Sequence, residues 1–395
     1  MNLCLFTANY PFGKSESFIA NEIKILSLKF DNIFIFPSKV SGEMRKVPVN
    51  VEVVFIKDSY IRNHVLKYDL SLLINNILRE IIRKPMFRNN IKETLSYFSR
   101  LIFKSYKVEE WILKNNNNNI YYSYWFDEWA TVLSILKYKR IIPKFVSRVH
   151  GFDLYDYRLK SGKIKFRKFQ LENVKKLYPV SHDGKSFLKK TYPVFSEKIM
   201  VSYLGTKDYG KALYKPTTTL KILSISNLYP LKRINLLVEA LKHVKINVEW
   251  KHFGEGFLLK YIKELVNSLD NNIKCEFLGQ KTNEFLMSYI KNNHFDVFIN
   301  LSKFEGLPVS IIEAISFGVP VFATDAGGSR EAVNYRTGKL FKNNFKTEDL
   351  SESLNNFFQS EYSQLTFRDG VRDFWLKNFD AKKKYEEFVV ELKSN

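Results

Sequence analysis

Two carboxylates in one short stretch carry the densest chemistry in this chain. In SKFEGLPVSIIEAISFGVPVFATD, from Ser302 to Asp325, Glu305 and Glu313 stand with seven residues between them. The run FINLS reads as a strand ending near Ser302, and Pro308 fits a first helical turn, where its missing N–H costs nothing. Gly318 suits the position just past the helix end. Ile311, Ile312 and Ile315 form the buried face of that helix. Glu305 therefore precedes the helix and Glu313 lies one to two turns inside it. The helix start offers unpaired N–H groups and the positive end of the macrodipole, which suits a diphosphate. Glu305 is placed to accept hydrogen bonds from hydroxyls near such a phosphate, and Glu313 to do the same deeper in the pocket. A carboxylate beside a core face needs partners. A glycosidase pair is excluded, because both acids belong to one helix and its lead-in and do not flank a bond from opposite sides. G-x-S-x-G, H-E-x-x-H and a Walker phosphate loop are all absent.

The elements that must hold these residues alternate. LCLFTA, NIFIFPS, VEVVFIK, NIYYSY and KFVSRVH read as strands, with SESFIANEIKILSLKF and EWATVLSILKYKR as helices between some of them. Alternation of this kind implies a parallel sheet covered on both faces. Residues 71–114 interrupt it with a basic, aromatic helical pattern holding Arg79, Arg83, Lys84, Arg88, Lys92, Arg100, Lys104, Lys107 and Trp111. The stretch LGTKDYGKALYKPTTT, residues 204–219, is the best interdomain linker. Alternation restarts at KILSIS and continues through VEWKHFG, KCEFLG, DVFINLS and PVFATD with helices between, a second α/β unit. In open α/β sheets ligands bind outside the C-terminal strand ends.

Composition sets the outer limits. The 395 residues suggest two or three domains, and 45% apolar content is ample for real cores. Cys4 and Cys275 are the only cysteines, too few for a disulfide framework or a cysteine-based zinc site. No apolar run reaches the length of a membrane span, and the start lacks the basic flank of a signal peptide, so a cytoplasmic protein is expected. Of the formal net charge of +21, residues 1–200 carry +17, from 35 Lys and Arg against 18 Asp and Glu. Such a half suits an anionic partner: a lipid surface, a phosphorylated acceptor or nucleic acid. A lysine-rich solvated surface is the plain alternative.

Taken together, Glu305-x7-Glu313 with Gly306-Leu307-Pro308, then Asp325-Ala326-Gly327-Gly328 and Glu331, resembles the E-x7-E signature of retaining GT-B glycosyltransferases of the family 4 type. The segment SNLYPLKRINLLVEAL resembles that family's phosphate-binding strand-turn-helix, with Lys232 at its lysine and Arg233 adjoining; the usual arginine five residues earlier is Asn227 here. Gly254 and Gly256 in FGEGF resemble its Gly-x-Gly turn, and Gly279-Gln280 the segment flanking the nucleobase. In the first half, RVHGFDLYDYR resembles its His-Gly-x-Asp segment, and ANYPFGKSESF its acceptor loop, while YYSYWFDEWA looks typical of exopolysaccharide members.

The resemblance implies a GT-B fold of two Rossmann-like doubly wound domains facing across a cleft. An acceptor domain is expected over 1–205 with the basic insertion near 71–114, a linker over 206–219, and a donor domain over 220–375. A C-terminal helix is expected over 376–395, packing back on the first domain. It implies sugar transfer, with retention, from a nucleotide-diphosphate sugar to a saccharide or lipid-linked acceptor in surface polysaccharide synthesis. His150, Glu305 and Lys232 are the implied catalytic residues. Lys232, Arg233, Asn227, Gly254, Gly256, Gly279, Glu305, Gly306, Leu307, Pro308 and Glu313 would line the donor, and Gly13, Glu16, His150 and Asp153 the acceptor side. Glu313 would hold the ribose hydroxyls and Glu305 the transferred sugar. No cofactor and no metal ion is expected. The expected location is cytoplasmic, peripheral on the inner face of the membrane, with an anionic membrane surface as a further partner and no nucleic acid. The alternatives are another GT-B enzyme, such as a nucleotide-sugar epimerase, or a basic nucleic-acid-binding protein.

Overall fold

The computed structural model describes residues 1–13, 16, 18–56, 91–115, 118–158 and 164–394. The chain divides into two compact units, Met1–Ser202 with Tyr385–Asn395, and Tyr203–Lys384.

The first unit is built on six parallel strands: β1 (Asn2–Thr7), β2 (Ile33–Pro37), β3 (Val51–Val53), β4 (Asn119–Ser123), β5 (Val146–Val149) and β6 (Lys176–Pro179). Their order across the sheet is β3-β2-β1-β4-β5-β6, with Leu3 opposite Ile33 and Leu3 also opposite Ile120. All six residues of β1 are buried, as expected of a strand covered on both faces. The helices are α1 (Ile19–Leu26), α2 (Ile91–Lys114), α3 (Glu128–Tyr138), α4 (Arg167–Asn173) and α5 (His182–Thr191). The chain order reverses between β1 and β4, so the loops after these two strands lie at the sheet's switch point.

The second unit repeats the plan with β7 (Leu220–Ile225), β8 (Val248–Phe253), β9 (Ile273–Phe277), β10 (Val297–Asn300), β11 (Val321–Thr324) and β12 (Gly338–Phe341). Their order is β12-β11-β10-β7-β8-β9, again all parallel. Its helices are α6 (Ile234–Leu241), α7 (Leu259–Val266), α8 (Asn283–Asn292), α9 (Val309–Ser316), α10 (Ser329–Ala332), α11 (Thr347–Asn355) and α12 (Leu365–Asn378). Here the switch point falls between β7 and β10. Trp250, Ile222, Val297, Ile299 and Phe322 are among the buried residues of this unit's core. Strands β6 and β12 are additions to the sequence reading. KLYP and GKLF are only four residues each, too short for periodicity to separate from loop.

The segment before β7 carries no helix or paired strand, yet it is fastened to the second unit. Ala212 N–H donates to the Phe317 carbonyl and Leu213 N–H to that of Lys291. The C-terminal residues form two helices rather than one: α12 stops at Asn378 and α13 (Ala381–Ser394) begins after a break. Asp380 causes the restart. Its carboxylate accepts from Lys383 N–H at 3.0 Å, an N-cap, while Ala381 N–H donates to the Thr206 carbonyl. Beyond Tyr385, α13 belongs to the first unit. There Phe388 lies under the buried Arg148 guanidinium, 3.9 Å from its carbon to the ring centroid.

Helix α2 turns its apolar face inward. Leu101, Ile102, Val108 and Ile112 join the first unit's core, and Trp111 packs on Phe34 and Phe36 at 4.8 and 5.1 Å. Lys104 is buried, bonded to Ser38 Oγ at 2.8 Å and paired with Glu128. Trp111 and Lys104 are therefore internal and not part of an exposed basic amphipathic face. Residues 71–90 of the expected insertion, with Arg79, Arg83, Lys84 and Arg88, lie outside the described residues, as does the Lys92 side chain. Among the described residues no helix is long and apolar enough to cross a membrane.

Candidate functional site

In the second unit the loops after β7 and β10 meet at the switch point. Lys232 ends a short 3-10 turn in the first loop, and its Nζ lies 2.6 Å from Glu305 Oε1 in the second. The loops are cross-braced by backbone. Lys303 N–H donates to the Leu231 carbonyl at 2.8 Å, and Gly328 N–H donates to the Gly306 carbonyl at 3.1 Å. Pro308 is the N-cap of α9, one position earlier than a first-turn residue, and Leu307 and Pro308 are buried against the helix start. Helix α9 thus starts close in sequence to the carboxylate of a lysine–carboxylate pair, a setting suited to an anion flanked by hydroxyls, although its Ile311 N–H already donates to the Pro308 carbonyl at 3.1 Å.

Glu313 is the fifth residue of α9 and is buried. Its Oε1 accepts from Asn283 Nδ2, at the start of α8, at 2.7 Å. Burial pushes its carboxyl up to about 7, and the Asn283 amide opposes that rise. The buried carboxylate anticipated from the sequence therefore does have a partner. Asn283 is the site residue that sequence reading missed. An asparagine at a helix start normally signals only a cap, and only the fold brings it to Glu313.

Arg233 adjoins Lys232 but turns away. It sits in the left-handed region at φ 50°. Its guanidinium donates to the carbonyls of Leu301 (2.6 Å), Asn343 (2.7 Å) and Ser302 (3.2 Å), so it braces the β10 loop. Asn227 is exposed on the β7 loop. Gly254 and Gly256 serve the protein's own packing. A Cβ at Gly254, where φ is +138°, would lie 1.9 Å from the Ser226 carbonyl oxygen, and one at Gly256 2.5 Å from that of Leu228. These glycines let the β8 loop lie on the β7 loop. The Gly279 carbonyl in turn accepts from Gly254 N–H at 3.0 Å.

In the first unit, His150 follows β5 and is buried among Trp125 (4.3 Å), Tyr124 (4.9 Å) and Phe18 (6.4 Å). Among the described residues neither ring nitrogen has a hydrogen-bond partner. Burial, with the Arg148 charge adding to it, holds its pKa well below the usual value, so the ring is neutral. A buried imidazole with both nitrogens unspent is costly unless a ligand uses one. Asp153 does not share that freedom. Its carboxylate accepts from His150 N–H (2.7 Å) and Phe126 N–H (2.8 Å), and burial pushes it up to about 6. It fixes the loop that presents His150.

Glu16 is likewise spent internally. In the left-handed region at φ 55°, it is not part of α1. Its carboxylate collects Asn9 N–H and Tyr10 N–H at 2.6 Å each, Ala8 N–H at 3.2 Å, and the Trp125 indole N–H. It ties the loops after β1 and β4 together at the first unit's switch point. Gly13 crosses the same loop, its N–H donating to the Glu43 carbonyl at 2.9 Å. Among the described residues no group of three or more His, Cys, Asp or Glu is placed to hold a metal ion.

Residues 206–373 match the family described as glycosyl transferases group 1. That stretch contains the Lys232–Glu305 pair, Glu313 and the whole second sheet. This stretch of the chain is similar to a glycosyl transferases group 1 domain. The fold of the whole chain is of the GT-B type. The crystal structure of Anabaena HepE in complex with UDP and glucose superposes with a TM-score of 0.69 at 16% identity, covering 100% of both chains. Two curated relatives match parts of the chain. Mannosylfructose-phosphate synthase of Agrobacterium fabrum is 31% identical over 123 residues, 31% of this chain and 27% of that protein. The UDP-Gal:alpha-D-GlcNAc-diphosphoundecaprenol alpha-1,3-galactosyltransferase of Escherichia coli is 26% identical over 208 residues, 48% of this chain and 53% of that protein. The matched stretches thus span between 27% and 53% of these relatives' lengths.

Proposed function

We propose that the protein is a retaining glycosyltransferase of the family 4 type. It would move a sugar from a nucleoside diphosphate donor to a saccharide or lipid-linked acceptor in surface polysaccharide synthesis. The observation that carries this reading is the Lys232–Glu305 pair at the switch point of the second unit, with the buried Glu313 inside helix α9, which follows Glu305. Lys232 would leave Glu305 for the donor diphosphate and stabilise the charge that grows as the diphosphate departs. Glu305, freed, would accept from hydroxyls of the transferred sugar, and Glu313 from those of the ribose. The amides at the start of α9 would add their dipole to the phosphate.

The first unit would take the acceptor. Its strongest support is His150, neutral and unpartnered, which can donate from one nitrogen and accept at the other. Glu16 and Asp153 would act through the loops they hold, without touching substrate. The charge of +17 over residues 1–200 supports an acceptor or membrane surface that is itself anionic, and with it a peripheral location.

Thermal-shift binding against UDP, GDP, ADP and CMP tests the donor assignment, using wild type and Glu313→Ala. A nucleotide that binds only the folded state raises its melting temperature. One nucleoside diphosphate should stabilise wild type and fail to stabilise the variant. No shift with any of the four at millimolar concentration would refute the donor site.

A further inference from the structure

Glu313 reaches the start of α8 through one contact, Asn283 Nδ2 to Oε1 at 2.7 Å. Asn283 is itself well anchored. It follows Thr282, whose side chain caps α8 by accepting from Phe285 N–H at 3.3 Å. Its backbone is thereby set, and its amide holds one carboxylate oxygen of a side chain that is only 8% exposed. A vicinal diol presents two donors to a carboxylate, one to each oxygen, only if the carboxylate plane is fixed. Oε1 has two lone pairs, so it can accept from Asn283 and from one hydroxyl while Oε2 accepts from the other.

We propose that Asn283 is a positioning residue that orients Glu313 to read both ribose hydroxyls of the donor nucleotide, and so sets the preference for ribonucleotides over 2′-deoxyribonucleotides. The inference rests on the donor-site reading above. A 2′-deoxy ligand leaves one buried carboxylate oxygen without its donor. A hydrogen bond to a charged group contributes roughly 1.5–3 kcal/mol, so the expected discrimination is about 10- to 150-fold. Without Asn283 the carboxyl loses its fixed plane and is left buried without that amide donor. It then takes the protonated form more readily and can no longer accept from both hydroxyls.

The test is calorimetric titration of the full chain at pH 8 with the nucleoside diphosphate found by thermal shift and with its 2′-deoxy counterpart, for example UDP and 2′-dUDP. Wild type, Asn283→Ala and Asn283→Asp are compared. Aspartate keeps the shape and the helix-start preference but removes the donor. Wild type should prefer the ribonucleotide by tenfold or more. Both variants should lose about tenfold or more for the ribonucleotide and little for the deoxy form, so that the ratio falls toward one. Circular dichroism and the ligand-free melting temperature establish that the variants fold. A variant that keeps the wild-type ratio, whatever its absolute affinity, overturns the positioning role. Failure of the donor-site reading looks different: wild type binds neither nucleotide, or Glu313→Ala binds both as wild type does.

Discussion

Glu313 makes the stability of the ligand-free protein and its affinity for a nucleotide depend on pH in opposite directions. In the folded chain its carboxyl is raised from 4.5 to about 7 by burial, against the pull of Asn283. A group raised on folding binds its proton more tightly in the folded state. Its penalty is absent below the unfolded pKa, grows as pH rises through the window from about 4.5 to 7, and is complete above it. At about 1.4 kcal/mol per pKa unit the penalty at pH 8 is on the order of 3 kcal/mol. Other buried carboxyls slope the same way, Asp127 at about 7 and Asp153 at about 6, while Asp208, held down by Arg372, slopes oppositely. Tyr209 feels both Glu284 and Glu313, and Arg372 donates to the carbonyl of Ser316 at the end of the same helix. The contribution of Glu313 is therefore isolated by difference. Glu313→Gln keeps the volume and the amide acceptor for Asn283. Its melting temperature should match wild type near pH 4 and exceed it above pH 7.5, by roughly 6–12 °C if about 2–4 °C accompanies each kcal/mol in a unit of this size. Nucleotide affinity of wild type should rise across the same window, because only the ionised carboxylate accepts from both ribose hydroxyls. A stability difference between the two proteins that does not change from pH 5 to 8 would show that the carboxyl is ionised throughout, and the reasoning from burial would fail.

Three further outcomes follow from particular contacts. Lys232→Ala should weaken nucleoside diphosphate binding by about 10- to 150-fold, the worth of one charge-assisted hydrogen bond. Because the lysine is partly exposed, its effect on unfolding by urea should stay within about 1 kcal/mol; unchanged affinity in the titration argues against the diphosphate role. Gly254→Ala sets a Cβ against the Ser226 carbonyl at 1.9 Å and a positive φ, so it should lower stability by several kcal/mol and disturb nucleotide binding with it. A variant within about 1 kcal/mol of wild type in urea would mean the two loops are free to part. Arg148→Met removes the guanidinium that donates to Tyr122 and the Ser202 carbonyl and faces the buried Glu22, for a loss of roughly 3–5 kcal/mol in chemical denaturation. A pair whose charges had already been neutralised would show far less.

The parts of this molecule that could be read in the sequence are those set by local pattern. Strands such as LCLFTA and DVFINLS are continuous apolar runs because both faces of each sheet are covered, and their alternation with amphipathic helices already implies parallel sheets. Glu305 and Glu313 could be placed before and within one helix because Pro308 and Gly318 mark its ends. What could not be read is which atoms each side chain spends on the protein itself. Lys232 and Arg233 are consecutive cations in the same loop, yet one faces a carboxylate at the switch point and the other faces three carbonyls, because Arg233 occupies a left-handed position that reverses its direction. Glu16 stands near the start of the run SESFIANEIKILSLKF, and only the fold shows four donors converging on it, one of them from Trp125, 109 positions away.

That division separates binding groups from bracing groups. Glu16, Asp153 and Arg233 are ionic residues within motifs, and each spends its hydrogen bonds on the loops it joins, on backbone groups and, for Glu16, also on the Trp125 indole. Among the described residues the His150 ring nitrogens in the first unit have no hydrogen-bond partner, the Glu313 carboxyl in the second has Asn283, and the Lys232 ammonium has Glu305, which a diphosphate could replace. Burying polar groups with capacity left over lowers stability, and a ligand recovers that loss on binding. The residues expected to touch substrate are therefore those the fold leaves unsatisfied. The braced ones should reveal themselves by stability, with affinity lost only as the loops loosen. Substituting Arg233 by lysine, which keeps the charge but cannot span three carbonyls, should consequently lower the melting temperature more than it changes nucleotide affinity.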